Sequence, residues 1–166
     1  MDGIIISKLL LLAAVGILLL VAAFGDIRER RIPNRLILVL ALLFLPYAFL
    51  NWLSGVSALE AFLIPVAVAA AFFLVTLALF AAGAMGGGDV KLIAATALFV
   101  GSGQAFLFAF VMAMTGGLLA LVMVVRSWMR RSGVAVDPRA AQVPYGVAIA
   151  CAGLWVEIGD VRALFS

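Results

Sequence analysis

Residues 4–24 read IIISKLLLLAAVGILLLVAAF, and residues 25–34 read GDIRERRIPN. The first stretch is nearly uncharged and as long as the roughly 20 apolar residues that cross a bilayer as a helix. The second crowds three arginines and two acids ahead of a Pro-Asn pair, the composition of a turn in water or among headgroups. Together they describe a chain that crosses a membrane, turns on a charged face and goes back.

The same alternation runs outward to the C-terminus. Long apolar segments cover 36–53, 58–82, 104–125 and 143–158. A shorter one, VKLIAATALFV at 90–100, crosses only if its helix starts near Gly88 and reaches Gly101 in a thinned bilayer. The expected fold class is all-α, a polytopic transmembrane bundle of about six spans. Hydrophobic residues make up 67% of the chain and charged residues 11%, with a mean hydropathy of +1.32. A soluble domain carries about 25% charged residues, so the excess apolar surface must face lipid.

Residues 4–24 resemble a secretory signal in position only. Asp2 and Lys8 precede or interrupt the apolar run, and Arg28, Arg30, Arg31 and Arg35 follow it, which reverses the charge order of a cleaved signal. The segment should stay attached, with its N-terminus outside. Six crossings then place Arg28, Arg30, Arg31, Arg35, Lys91, Arg126, Arg130, Arg131 and Arg139 on the cytoplasmic side, and only Lys8 and Arg162 opposite. That distribution obeys the positive-inside rule. Basic residues gathered in short loops do not form a nucleic-acid groove.

Other chemistry is excluded by what the chain lacks. There is no histidine and a single cysteine, Cys151, so a Cys/His zinc site and a Cys-His protease dyad are ruled out. No metal and no cofactor is expected. Cys151, within an apolar run, reads as a small buried packing residue. The polar stretch RSWMRRSGVAVDPRAAQ at 126–142 reads as a basic loop against anionic headgroups. No internal repeat or second domain is evident, so residues 1–166 are taken as one membrane domain.

Among the scarce acids, Asp2, Glu60, Glu157 and Asp160 fall near outer borders and read as solvated charges, and Asp137 precedes Pro138 in a turn. Asp26 ends the first span, and Asp89 stands at the mouth of the fourth, in MGGGDVKL at 85–92. Two crossings separate them, so parity puts both at one face. An acid at the rim of hydrocarbon costs up to about 3 kcal/mol near the bilayer centre and is a functional candidate. Carboxyls a few ångströms apart do not both ionise, which leaves one acid and one base. Such a pair suits hydrolysis of a peptide bond, and it equally suits a small proton- or cation-coupled transporter or channel. Gly86, Gly87 and Gly88 read either as a flexible turn or as extended backbone that lines a substrate strand edge to edge. Lys91 reads either as a counter-charge to Asp89 or as a snorkelling side chain, and Arg28, Arg30 and Arg31 as positive-inside anchors.

GDIRERRIPN, MGGGDVKL and VPYG at 143–146 together resemble the type IV prepilin peptidases, aspartic membrane proteases with a GxGD motif, and most closely the short branch that processes Flp (tight-adherence) prepilins. The resemblance implies that Asp26 and Asp89 are the catalytic pair, that Gly86, Gly87, Gly88 and Lys91 lie beside the substrate, and that Pro33 and Asn34 belong to the motif. It implies a prepilin partner: a short basic leader cut after a glycine, ahead of an apolar helix, at the cytoplasmic face of the bacterial inner membrane. Larger members carry a cysteine-paired cytoplasmic portion linked to N-methylation. This chain shows no such portion, so peptidase activity alone is expected.

Overall fold

The computed structural model describes residues 2–129 and 144–164. Most of the 126–142 loop, with Arg130, Arg131, Asp137 and Arg139, lies outside the described residues.

Every apolar segment becomes a helix. They are α1 (Asp2–Glu29), α2 (Asn34–Leu53), α3 (Ile64–Ala81), α4 (Gly87–Ala97), α5 (Ala105–Met129) and α6 (Tyr145–Ala163). Four of these stretches are long and apolar enough to cross a membrane: 3–29, 34–53, 59–81 and 102–126. The chain is therefore an α-helical integral membrane protein. Two helices differ from the simple six-span picture. α4 has 11 residues, which is roughly 16 Å at 1.5 Å per residue and about half a hydrocarbon core. α6 carries Glu157, Asp160 and Arg162 in its second half.

Prolines shape the helix ends. Pro33, at φ −62° and ψ 131°, caps α2, and its carbonyl accepts the Leu36 N–H at 3.0 Å. Pro144 takes the same position ahead of α6. Pro65 lies early in α3, where its missing N–H breaks the ladder, and the preceding turn widens into a π-turn at Leu59–Leu63. Ser57 and Glu60 cap that turn reciprocally: the Ser57 hydroxyl donates to Glu60 at 2.9 Å, and the Glu60 N–H donates back to it at 3.2 Å.

α1 and α6 run antiparallel in close contact. Their paired levels are Asp26 with Gly146, Leu19 with Gly153, and Gly16 with Glu157. Glycine on one helix at each level lets the backbones approach, the small-residue packing that joins helices in lipid. A Cβ on Gly153 would come within 2.7 Å of Leu19 and 2.9 Å of Thr96 on α4, so α1, α4 and α6 meet there. The core of Leu19, Leu40, Leu92, Ile93, Phe108 and Ile149 draws on every helix except α3. Large apolar side chains such as Leu10, Phe24, Leu74 and Phe106 point outward, as lipid-facing residues should.

Two expectations fail here. Cys151 is exposed, because α6 buries Ala148, Ile149, Ala152 and Val156 and turns residue 151 the other way. Glu157 is not a solvated border charge. It is 8% exposed against α1, and its Oε1 finds no hydrogen-bond partner among the described residues. Asp160 is half-buried and accepts the Gln104 amide at 2.7 Å. The end of the bundle remote from Asp26 thus holds an internal polar cluster.

Candidate active site

The chain reverses twice at one end of the bundle. Between α1 and α2 the turn is residues 30–33, and Arg30 takes φ +53°, the left-handed conformation that often ends a helix. Its N–H closes onto the Asp26 carbonyl at 3.1 Å. Between α3 and α4 the turn is residues 82–86, with Gly83 at φ +73°. A cavity of about 580 Å³ opens between these turns, lined by Asp26, Arg30, Arg31, Ile32, Asn34, residues 83–89 and Tyr145.

Asp26 is 7% exposed and projects from the last full turn of α1. Its Oδ2 accepts the Gly146 N–H at 2.8 Å, one of the donors left over in the first turn of α6. A Cβ at Gly146 would come within 2.8 Å of the Asp26 Cβ, so only glycine lets the amide reach the carboxylate. Asp89 is the third residue of α4, and its Oδ2 accepts the Gly86 N–H at 3.2 Å. An acid in the first helical turn is also favoured by the helix dipole. The Asp26 and Asp89 carboxylates line one cavity and lie close enough to act on each other electrostatically. Arg30 lies within electrostatic reach of Asp26.

The structure thus gathers Asp26, Gly86, Gly87, Gly88 and Asp89, five of the six residues picked from sequence, around one cavity. Lys91 is the exception. It is two positions beyond Asp89 on α4, which turns it to the opposite face, and its Nζ donates to Asn34 Oδ1 at 3.3 Å. It neither neighbours Asp89 nor hangs free. The glycine run also differs from an extended edge. Only Gly86 is extended, at φ −77° and ψ 146°. Gly87 and Gly88 are wound into α4 against Phe80 and Ile32, so on the α3–α4 side the irregular backbone lining the cavity is residues 83–86. Arg30 and Arg31 line the cavity, and Arg28 does not. Tyr145 lines the cavity and Gly146 binds Asp26 directly. The VPYG motif was the available signal, but nothing local in it points to Asp26.

With that geometry in place, comparison with known families decides the kinship: the model of the type IV leader peptidase family matches residues 13–121, a stretch that contains both aspartates. The chain belongs to the type IV leader peptidase family. Membership makes it a peptidase, a hydrolase of leader peptides. No curated protein and no solved structure matches the chain.

Proposed function

We propose that this leader peptidase is an aspartic endopeptidase that removes the leader from type IV prepilins of the Flp type, at the cytoplasmic face of the bacterial inner membrane. The observation that carries the reading is the placement of the Asp26 and Asp89 carboxylates on one cavity at the arginine-rich end of the bundle, with the charge of Asp26 acting on Asp89.

The chemistry follows from a shared proton. The ionised carboxylate takes a proton from a water molecule as its oxygen attacks the scissile carbonyl, and the protonated carboxyl gives its proton to the carbonyl oxygen. The resulting diol collapses with cleavage of the C–N bond. The amine leaves with the proton first taken from water, and a diol proton restores the acid. No group beyond the two carboxyls and water is needed for proton balance. Gly146 and Gly86 orient one carboxylate each through their N–H groups. Arg30 and Arg31 give the cavity mouth a positive wall, and the basic leader then needs to present its apolar or acidic parts there.

The test is cleavage of a purified prepilin by the protein in detergent or nanodiscs, read as a size shift. Asp26→Asn and Asp89→Asn should each lower the rate by at least about 10²-fold, the usual contribution of a general acid or base. Retention of most activity by either variant refutes the dyad. Proton or cation flux in reconstituted vesicles without any cutting would favour a transporter instead.

A further inference from the structure

A second concavity, about 390 Å³, lies on the face of α4 turned away from Asp89. Its walls are α2 (Ile37, Ala41) and α3 (Val66, Ala69, Ala70, Phe73), and its floor is α4 (Lys91, Ala94, Ala95, Leu98). On α3 and α4 the lining residues recur at i, i+3, i+4 and i+7, one complete face of each helix over about 10 Å of rise. Lys91 is its one charged residue among those described, at the end nearest the site. Alanine at five of the lining positions leaves room for another helix to approach closely.

Continuity with the active-site cavity indicates what covers this groove. The two turns that flank the cavity, residues 30–33 and 82–86, are the direct extensions of α2 and α3, the groove's two walls. α4 supplies Asp89 to the cavity and the groove's floor. At the junction the hydrogen bond from Lys91 to Asn34 joins a groove residue to a cavity residue. A polypeptide whose scissile bond lies between Asp26 and Asp89, and which continues as an apolar helix, meets this groove as it leaves between the two turns.

We propose that the α2–α3–α4 groove seats the membrane-spanning apolar helix of the substrate, just beyond the bond that is cut. The proposal rests on the peptidase reading above and adds a docking site to it. The groove anchors the helix in lipid while the leader side reaches the carboxylates, and the binding energy gained along it positions the scissile bond.

The experiment fills the groove and compares two substrates. Ala70→Phe and Ala94→Phe are made in the full chain, neither residue touching the cavity. Each is assayed on a full-length prepilin and on a soluble peptide that spans the leader and cleavage site but lacks the apolar helix. The expected result is a fall of about tenfold or more in kcat/KM for the full-length substrate with peptide cutting unchanged, a loss of one anchoring contact. Equal cutting of the full-length substrate by variants and parent means that lipid alone fills the groove and overturns the proposal. A matching loss on both substrates also overturns it, since the damage is then to the site. If the parent protein cuts neither substrate, the peptidase reading itself has failed. An independent arm uses cross-linking in a Cys151→Ser background: Ala70→Cys should join a cysteine in the substrate helix, and Phe110→Cys on exposed α5 should not. Equal yields at both positions, or none at Ala70→Cys, contradict the proposal.

Discussion

Asp26 is held by an amide 120 positions away, and the contact works only because residue 146 has no side chain. Gly146→Ala is expected to push Asp26 aside while leaving the helices assembled. A displacement of about 1 Å at a catalytic group costs on the order of 10²-fold in rate, so kcat should fall by roughly that factor with an unchanged thermal transition. A second expectation at this scale concerns pH. If the two carboxyls share one proton, cutting declines on the acid side as the base takes up a proton and on the alkaline side as the acid loses its own, which gives a bell-shaped profile of kcat. A flat profile across the titration range of carboxyls contradicts the shared proton. The acids themselves were legible because charge at a hydrocarbon rim is rare and two crossings fix their common side. The Gly146 contact was not, because a bond between the ends of α1 and α6 leaves no periodicity in either segment.

At the scale of elements, α1 and α6 form the spine that sets Asp26 in place, and their seam has an expensive flaw. Glu157 is buried against Gly16 with Oε1 lacking a partner among the described residues. An ionised carboxylate there is poorly compensated, and an amide of the same shape removes the charge. Glu157→Gln should leave peptidase activity within about twofold and hold or raise Tm, by a few degrees at about 1 kcal/mol. A clear fall in Tm would mean that the carboxylate has a counterpart across the seam. From sequence, Glu157 looked like a border charge because it lies near the C-terminus of the last apolar run. Only the level of α6 against α1 shows that this turn is still inside the bundle. α4 shows the same dependence on packing. Its glycines permit an extended edge, but the Asp89 cap and the contacts with Phe80 and Ile32 wind Gly87 and Gly88 into the helix.

Across the whole molecule, apolar length and charge order are enough to read the architecture: six helices, the reversals between them and the end that carries the acids. The described cations at that end are Arg28, Arg30, Arg31, Arg35, Lys91 and Arg126, with Lys8 and Arg162 toward the other. The proposed orientation, with the acid-bearing end in the cytoplasm, is the one the positive-inside rule favours. In a Cys151→Ser background, Ser57→Cys in the α2–α3 turn should react with an impermeant maleimide on intact spheroplasts. Arg28→Cys should react only after permeabilisation, and the reverse pattern would invert the orientation. What hydropathy does not deliver is depth. The short α4 and the charged second half of α6 fall outside a simple rule of length and composition, because they are buried by neighbouring helices rather than by lipid alone.

The central claim is that Asp26 and Asp89 operate as one unit, and a kinetic cycle tests it most directly. kcat for prepilin cleavage is measured for the parent, Asp26→Asn, Asp89→Asn and the double variant under one set of conditions. Groups that act together lose nearly everything on the first substitution, so the double variant should be no slower than either single one beyond a few-fold. Two independent losses that multiply in the double variant would contradict the account.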